Sequence, residues 1–389
     1  PAPRTPHPAP RPMLRLRALA VPLAVLLAAA AAAHLRASPA AVAAPACAPP
    51  CADSVQVTYL GVGGWLIRRG PDAVLTAPFF STPRLSSVSL ARPIRADTAR
   101  IDERVRALLP GAAGLRAVLV GHSHYDHLMD VPYLARRHLP GVPVYGNAAM
   151  LRLLAADPVR PRLVSVEEDA GTHEAPGRWI YPHPDSTVRF MALRSGHAPH
   201  ALGVKVFRRG QAEERGALPS NAWEWAEGTV LAYVIDFLDR GTGRVAYRVH
   251  FQDAASEAPL GFPPPWAAAD SARFDLAILC AGSFHEAGDY PAGIVGALRP
   301  REVLVGHWED FFRPQTARLR LIPGTDTTEL LRRVDTVLPL EASRAVPRPG
   351  ATLRFPVHSA GEPGSPPERA GGGFPDSALP GDTPFRTLP

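Results

Sequence analysis

The sequence predicts an α/β fold, and three observations support this prediction. Short apolar runs alternate with segments of helical periodicity from residue 117 to residue 155. A strand-rich section follows from Arg162 to Phe251, in which turn residues separate the apolar runs. Finally, four apolar runs are each followed closely by a histidine or an aspartate. Strand ends that converge on one edge are a common way for an α/β fold to build a site.

The elements before residue 160 are short and closely spaced. Apolar or alternating runs predict strands, and apolar residues that recur on one helical face, such as Ile101 and Val105, predict helices. Between the first two strands, residues 61–64 contain three glycines and predict a turn. The predicted strands are 55–60, 65–68, 73–76, 117–120 and 142–145, and the predicted helices are 98–109, 128–139 and 147–155.

The later part of the chain is predicted to consist mainly of strands. A polar, tryptophan-bearing stretch from Arg208 to Glu227 interrupts them, and it predicts a hairpin loop near the mouth of the site. The predicted strands are 188–193, 204–207, 229–237, 245–251, 276–280 and 303–305, and the predicted helices are 291–298 and 327–337.

The most informative stretch is residues 121–127, which follow the apolar run 117–120 and hold three histidines and an aspartate. In an extended segment residues two apart point the same way, so His122 and His124 can bind one metal ion together. Asp126 and His127 come just after and would face a second position. Imidazole and carboxylate ligands suit zinc, or less often iron or manganese. A histidine-rich loop without a metal is the alternative.

This pattern, His122-x-His124-x-Asp126-His127 after a buried strand, resembles the signature of the metallo-β-lactamase fold superfamily. With Tyr125 inside it and residues 128–130 (Leu-Met-Asp) after it, the motif is most similar to one branch. That branch contains the N-acyl-phosphatidylethanolamine phospholipase D-like and ascorbate-6-phosphate lactonase-like hydrolases. The resemblance covers roughly residues 55–357. It implies one hydrolase domain built as a four-layer αββα sandwich, with two mixed β-sheets flanked by helices.

The resemblance also implies a site for two divalent metal ions, most simply Zn²⁺, with iron or manganese as alternatives. One ion would be held by His122, His124 and His197, the second by Asp126, His127 and His307, with Asp253 bridging the two. The chain departs from the pattern of relatives at several positions. Glu309 and Asp310 replace the Gly-Thr of a His-Trp-Gly-Thr-Phe motif, Gln252 replaces a glycine, and Ala77 replaces an aspartate near the metal histidines.

Three of these ligand assignments have alternatives. His200 competes with His197, which is favoured because it follows a glycine at the end of a strand. Asp253 could be an ordinary loop acid, and His307 could be a capped surface histidine. The Trp308 that follows His307, as in relatives, favours the ligand role.

The other histidines are assigned by their context. His285 lies between two ligand-bearing strands, at a position that faces the active site in relatives. It is a candidate for substrate contact or proton transfer, with a plain loop histidine as the alternative. Tyr125 either packs in the core or lines the pocket, and His250 follows the alternation of its strand and is expected to be structural. Solvent exposure is expected for His138, His173 and His183.

Both ends of the sequence are predicted to lie outside the domain. Residues 13–43 are typical of an export signal, because Arg15 and Arg17 precede an uncharged apolar run and residues 41–43 offer a small-x-small cleavage site. The apolar run is shorter than the ~20 residues that a spanning helix needs, so cleavage is favoured over permanent membrane anchoring. Residues 1–12 are then a proline-rich disordered leader, 44–54 a linker, and 358–389 a disordered tail.

Three cysteines give little information on function. Cys47 and Cys51 could form a disulfide in an oxidising compartment, and lipidation of Cys47 is a minor alternative. Cys280 ends an apolar run and is expected to be a buried small hydrophobe.

Charge argues against a nucleic-acid partner. Removing the five arginines before Asp53 from the formal charge of +6 leaves +1, so a processed chain is nearly neutral. A Gly-x-Ser-x-Gly nucleophile motif does not occur in the sequence.

We therefore expect an exported hydrolase, periplasmic or secreted, that uses a hydroxide bound by two metal ions to cleave an ester-type bond. Asp126, Asp253 and His285 are the expected catalytic residues. A phosphodiester is the first choice of substrate, including one in a lipid, which would bring the protein to a membrane surface. A lactone or carboxylic ester is the second choice. A non-catalytic metal-binding protein on the same fold is the alternative from another class.

Overall fold

In the computed structural model of the chain, two β-sheets face each other and helices cover their outer faces. The structure describes residues 53–76, 78–109, 114–200, 203–207, 209–266 and 273–357. The strands are β1 (Ser54–Gly61), β2 (Gly64–Arg69), β3 (Asp72–Thr76), β4 (Leu115–Leu119), β5 (Val144–Gly146), β6 (Leu163–Ser165), β7 (Val188–Arg194), β8 (Leu231–Leu238), β9 (Val245–Phe251), β10 (Leu276–Cys280), β11 (Glu302–Gly306), β12 (Ser343–Ala345) and β13 (Thr352–Pro356).

Both sheets are mixed. The first has the order β13-β1-β2-β3-β4-β5-β6, with antiparallel pairs from β13 to β3 and parallel pairs from β3 to β6. The second has the order β12-β11-β10-β9-β8-β7, with parallel pairs from β12 to β9 and antiparallel pairs from β9 to β7. In each sheet the parallel strands therefore run from the middle to one edge, which is β6 in the first sheet and β12 in the second, and the antiparallel strands form the other half.

Seven α-helices flank the sheets in the described residues. They are α1 (Leu85–Ser89), α2 (Thr98–Leu108), α3 (Tyr125–Leu128), α4 (Val131–His138), α5 (Ala148–Leu153), α6 (Ala292–Leu298) and α7 (Thr327–Asp335). Side-chain caps start three of them, because Asp97, Asn147 and Asp326 accept hydrogen bonds from backbone N–H groups of the first turn of α2, α5 and α7.

Side-chain alternation along the strands separates two apolar cores. Val57 and Tyr59 of β1 face the second sheet and join the larger core, which continues to α6 and α7 on the far side. Leu60 and Val118 belong to the second core, between the first sheet and the helices that include α2 and α4. Because each sheet is buried on both faces, the layers are helix, sheet, sheet and helix. This is the αββα architecture that the resemblance to the metallo-β-lactamase fold implied.

Most predicted elements are present, with three differences. Residues 204–207, predicted as a strand, are irregular because Val204 accepts a hydrogen bond from the backbone N–H of His200 and turns back on it. The predicted helix 128–139 begins three residues later, as α4, and the short helix α3 precedes it. The three short strands β6, β12 and β13 and helix α1 were not predicted, since they carry too few apolar residues to show a period.

Several expectations fall outside the described residues. These are the leader and export signal at 1–43, most of the linker at 44–54, Ala77, and the tail at 358–389. Ser54, assigned to the linker, is the first residue of β1. Among the residues that are described, no helix is long and apolar enough to cross a membrane.

Candidate metal centre

Four strand ends bring histidines and aspartates to one place between the sheets. The segment after β4 carries residues 122–127, and the segments after β7, β9 and β11 carry one further residue each. The backbone N–H of Leu231 donates to the carbonyl of Gly121 at 2.8 Å, which joins the loop after β4 to the second sheet. The side chains brought together are His122, His124, Asp126, His127, His197, Asp253 and His307.

Within this cluster, the candidate donor atoms form three overlapping trios, each with its atoms within 4.8 Å of one another. The first trio contains His124 and His197, the second contains Asp126 and His307, and the third contains Asp253; His122 and His127 connect the third trio to the other two. The full trios are His122, His124 and His197; Asp126, His127 and His307; and His122, His127 and Asp253. The carboxylate of Asp253 therefore lies between two potential metal positions.

Two glycines allow this close approach. A Cβ atom on Gly121 would lie 2.3 Å from Oδ1 of Asp253, and a Cβ on Gly63 would lie 2.7 Å from Nδ1 of His127. Contacts this short do not occur for real side chains, so both positions need glycine to admit the neighbouring ligand. The glycine-rich turn between β1 and β2 is thus one wall of the site.

Asp253 contacts one histidine from each outer trio. Its Oδ1 lies 3.1 Å from Nδ1 of His122, and its Oδ2 lies 3.2 Å from Nδ1 of His127. Burial alone would raise the pKa of the Asp253 carboxyl, but His122 and His127 outweigh burial and hold that pKa well below its usual range. The carboxylate is therefore ionised at neutral pH although it is buried.

A similar arrangement surrounds Asp126, whose Oδ2 lies 3.5 Å from Nε2 of His127 and 3.4 Å from Nε2 of His307. These two imidazoles outweigh the effect of burial and lower the pKa of Asp126. In turn, burial disfavours the charged form of His127, but Asp253 and Asp126 raise its pKa overall. The two buried carboxylates thus require positive charge beside them, which either a proton or a metal ion can supply.

The first trio has the opposite electrostatic character. Burial and the neighbouring imidazoles, His122 foremost, hold the pKa values of His124 and His197 well below the usual value. Both rings are therefore neutral at physiological pH, and the neutral imidazole is the form that coordinates a metal.

The donor set fits divalent metal ions. Buried polar atoms nearly always have a partner, yet Nε2 of His122, Nε2 of His124 and Nδ1 of His307 have no hydrogen-bond partner in the described part of the chain. Five histidines and two aspartates offer nitrogen and oxygen donors without thiolates, the set that suits zinc, iron or manganese.

His307 is held by a hydrogen-bonded chain that the sequence did not predict. Its backbone has a φ of +55°, a left-handed conformation that is uncommon for histidine, and its N–H donates to the Tyr59 hydroxyl at 2.7 Å. That hydroxyl donates to Oε2 of Glu309 at 2.5 Å, and Oε1 of Glu309 accepts from the N–H of Val62 at 2.7 Å. Glu309, one of the departures noted in the sequence, therefore holds the backbone of Val62 directly and the backbone of His307 through Tyr59.

His200, treated in the sequence as a competitor of His197, stands beside it instead. The two rings are stacked with centroids 4.8 Å apart, and the His200 ring lies 5.4 Å from that of His124. Burial is the main reason that the pKa of His200 is lowered, to about 4. The short spacing between His197 and His200 in the sequence could have indicated that both lie at the site, but the two were treated as mutually exclusive candidates for one ligand position.

Residues 205–207 bring an aromatic side chain and a lysine to the same edge of the site. The ring of Phe207 lies 5.1 Å from His124 and 4.9 Å from His200. Lys205, the one lysine in the sequence, donates to Oε1 of Glu227 at 2.9 Å. The other Glu227 oxygen lies 3.9 Å from Nε2 of His124. The stretch ending at Glu227 thus reaches the site, close to where the sequence placed a loop.

Tyr125 is buried, and its ring packs between Phe79 and Phe207. Of its two suggested positions, core packing is therefore the one that the structure shows.

His285 does not join the cluster. Its side chain is 44% exposed, and its Nε2 lies 3.4 Å from Oε1 of Glu286. None of the described contacts links it to the seven clustered residues. The 3-10 turn Phe284–Glu286 places the ring on the surface and outside the cluster, so the catalytic role expected for His285 stays a prediction.

The remaining histidines agree with expectation except one. His250 is fully buried, and its Nε2 lies 2.8 Å from the Gly261 carbonyl, so it is structural. His173 and His183 are exposed. His138 was expected to be solvated but is half-buried, because its Nε2 lies 2.6 Å from Oδ1 of Asp102. Cys280 is buried as expected, and burial raises the pKa of its thiol.

A family comparison matches part of this chain. Residues 73–247 match the model described as "Beta-lactamase superfamily domain". The matched range includes residues 122–127 and His197, whereas Asp253 and His307 follow it. No curated protein matches the sequence.

Solved structures with a similar fold have low sequence identity. Igni18, a metallo hydrolase from Ignicoccus hospitalis, is 13% identical over 78% of this chain and 98% of its own, with a TM-score of 0.41. YhfI from Bacillus subtilis, a metallo-beta-lactamase fold protein, is 15% identical over 78% and 100%, with a TM-score of 0.43. CmlA from Streptomyces venezuelae, a diiron beta-hydroxylase, is 14% identical over 78% and 54%, with a TM-score of 0.42. Identities and TM-scores at this level do not transfer an activity to this chain.

Proposed function

We propose that this chain is a metal-dependent hydrolase that holds two divalent ions, most simply Zn²⁺, and cleaves an ester-type bond. The observation that supports the proposal is the overlap of the three trios, in which Asp253 lies between two sets of nitrogen and oxygen donors. A structural zinc site has four closed protein ligands, whereas two adjacent three-ligand sets leave positions for water and substrate.

Each clustered residue has a role in this proposal. His122, His124 and His197 would hold one ion, Asp126, His127 and His307 would hold the other, and Asp253 would serve both. When bound, two such ions would lower the pKa of a coordinated water toward neutrality and polarise the oxygen of the bond under attack. The ionised carboxylate of Asp253 would orient the attacking water by accepting its hydrogen bond.

The substrate class comes from the motif. The similarity of residues 122–130 to the phospholipase D-like and lactonase-like branch supports a phosphodiester first, and a lactone or carboxylic ester second. A lipid phosphodiester would require contact with a membrane surface. These choices are distinguished by a substrate panel.

The test combines metal content with turnover. We expect about two metal ions per chain and hydrolysis of bis-p-nitrophenyl phosphate in the wild type. The variant Asp253→Ala should lose at least ~100-fold in kcat/KM and part of its bound metal, since ligand changes exceed the 10–100-fold effect of groups that only orient ligands. Asp185→Ala, at an exposed carboxylate, is the matched control and should behave as wild type.

Three outcomes of this test are informative. Turnover of lactones but not of the phosphodiester would move the substrate to the second class. Two bound metals without turnover of any ester would favour a non-catalytic metal-binding protein. Absence of metal binding under all loading conditions would refute the proposal as a whole.

Export is a further part of the proposed function. The arginines, apolar run and small-x-small site within residues 13–43 support a cleaved signal. Amino-terminal sequencing of the protein recovered from a bacterial periplasm should begin at Ala44. A chain recovered from the membrane fraction with residues 13–43 intact would indicate anchoring instead.

A further inference from the structure

The stacked histidines His197 and His200 differ in the hydrogen bond that each forms at Nδ1, which donates in His197 and accepts in His200. Nδ1 of His197 lies 2.6 Å from the carbonyl oxygen of Ala198, which can only accept, so Nδ1 carries a proton and donates it. In the neutral ring the lone pair is then on Nε2. A histidine whose Nδ1–H is tied to a backbone carbonyl is the usual form of a metal ligand, because the bond fixes both tautomer and orientation.

His200 has the reverse arrangement. Its Nδ1 accepts a hydrogen bond from the backbone N–H of Val206 at 3.2 Å, so this nitrogen holds the lone pair. The ring proton must then be on Nε2. Since the Nδ1 lone pair is engaged and Nε2 bears a proton, His200 offers the site a hydrogen-bond donor rather than a metal-binding lone pair.

Several contacts hold the His200 ring in place. Its backbone N–H donates to the carbonyl of Val204 at 3.0 Å, and its carbonyl accepts from the Ser283 hydroxyl at 3.3 Å. The rings of His197 and Phe207 contact it at centroid distances of 4.8 and 4.9 Å. In the residues that the structure describes, no protein group accepts from Nε2. A fixed donor without a protein acceptor, beside candidate metal ligands, is suited to a substrate atom.

We infer that His200 is a substrate-contacting residue, whose Nε2–H donates a hydrogen bond to an anionic oxygen of the ester group undergoing hydrolysis. This inference rests on the proposed hydrolase function. A donor placed in advance where negative charge increases stabilises the transition state more than the bound substrate. For a phosphodiester the acceptor is a non-bridging phosphoryl oxygen, and inorganic phosphate presents the same chemistry.

The experiment compares three variants of the full-length, metal-loaded protein. His200→Leu removes the donor, and His200→Gln keeps an amide donor near the position of Nε2. His183→Leu, at an exposed histidine, is the control. The measurements are metal ions per chain, the dissociation constant of inorganic phosphate by calorimetry, and kcat/KM for bis-p-nitrophenyl phosphate.

We expect all variants to keep the wild-type metal content. His200→Leu should bind phosphate at least ~10-fold more weakly and lose ~100-fold in kcat/KM, the loss found on removing one such donor elsewhere. His200→Gln should recover most of both values, which a purely structural role would not predict.

Three results would overturn the inference. The first is a loss of one metal ion in His200→Leu, which would make this histidine a ligand. The second is phosphate affinity and kcat/KM within twofold of wild type in that variant. The third is a wild type that binds no phosphate. By contrast, a wild type that binds phosphate but hydrolyses no ester would refute the proposed function, while weaker phosphate binding in His200→Leu would still support the contact.

Discussion

A single carboxylate, that of Glu309, joins the turn between β1 and β2 to the backbone of a candidate ligand. It accepts from the N–H of Val62 and from the hydroxyl of Tyr59, which in turn accepts from the N–H of His307. Burial and Glu309 both raise the pKa of Tyr59, so its hydroxyl stays protonated and can donate. This series of hydrogen bonds stabilises the unusual left-handed backbone at His307.

Tyr59→Phe should therefore weaken both stability and metal binding. Removing the hydroxyl leaves the N–H of His307 and one oxygen of Glu309 without their partner, at a cost of about 1–3 kcal/mol in the free energy of unfolding. It should also lower the affinity for one of two metal ions by ~10-fold or more, because His307 belongs to one outer trio only. Urea denaturation and metal titration against a chelator measure the two effects.

Tyr181→Phe is the control for this prediction, since Tyr181 is an exposed tyrosine. Equal loss of affinity at both metal positions in Tyr59→Phe would contradict the role assigned to the hydrogen bonds through Tyr59.

At the residue scale, sequence-based prediction depended on local spacing. His122, His124, Asp126 and His127 are close in sequence, so their common site could be inferred from strand geometry alone. The tautomer of His200 depends on a backbone N–H six residues away, in a segment that was predicted to be a strand. No periodicity in the sequence reports such a bond.

At the scale of elements, the site depends on how closely the loops after β4 and β9 approach each other. Gly121 follows β4 and touches the Asp253 carboxylate that follows β9. Gln252 fixes the second loop, because its amide donates to the Ser195 and Ser256 hydroxyls. Gln252 thus ties the loops after β7 and β9 together.

Gly121→Ala is expected to impair metal binding without changing any ligand. The added Cβ would lie 2.3 Å from Asp253, so this carboxylate or the loop must move. Overpacking of this kind costs about 1–3 kcal/mol in stability. We expect metal content, measured by elemental analysis, to fall in Gly121→Ala.

The matched control for this change is Gly216→Ala, because a Cβ there meets no heavy atom within 4 Å. Unchanged metal content in Gly121→Ala would show that the loops can separate freely.

The strands and helices that could be predicted are those with a clear apolar pattern in the sequence. β9 and β10 were predicted with their observed bounds, since β10 is a continuous apolar run and β9 alternates apolar residues with Arg248 and His250. Residues 204–207 have the composition of a strand, yet Val204 is exposed and the segment turns back toward His200. Here a local hydrogen bond to His200 replaces strand pairing, so propensity gave the wrong result.

On the scale of the whole molecule, stability depends on a buried acid outside the metal cluster. Asp130 precedes α4 and accepts hydrogen bonds from the N–H groups of Phe80 and Ser81 at 2.7 and 2.9 Å. Burial raises its pKa to about 6. Between the unfolded value of about 4 and this value, the folded protein binds a proton that the unfolded chain releases.

The free energy of unfolding should therefore fall as pH rises from about 4 through about 6. For an acid whose pKa is raised by about two units, the decrease amounts to about 3 kcal/mol. Asp130→Asn cannot ionise, so the difference in stability between wild type and this variant should change by that amount across the range. Urea denaturation at pH 4, 5 and 7 with a chelator present measures it.

Asp275, whose pKa burial also raises to about 6, remains in both proteins and cancels from this difference. A difference between wild type and Asp130→Asn that is constant with pH would contradict the prediction.

The global architecture was predicted through resemblance rather than through physical pattern. Alternating strands and helices indicated an α/β class, but the division into two sheets followed from the motif at residues 122–127. The order of strands could not be read from the sequence, because β1 pairs with β13 across about 300 intervening residues. Which distant strands pair depends on the packing of the whole apolar core, which no local sequence pattern reports.

That edge pairing has a practical consequence. Ser54 at the start of β1 pairs with Pro356 at the end of β13, whereas the opposite end of β1 leads into the turn beside His127. At roughly 3.3 Å per residue, the eight residues of β1 separate the two by about 25 Å. A lipid, a bead or a fused carrier attached before Ser54 or after Pro356 would therefore hold the domain at the end away from the metal cluster. Such an attachment would leave the path of incoming substrate to the cluster unobstructed.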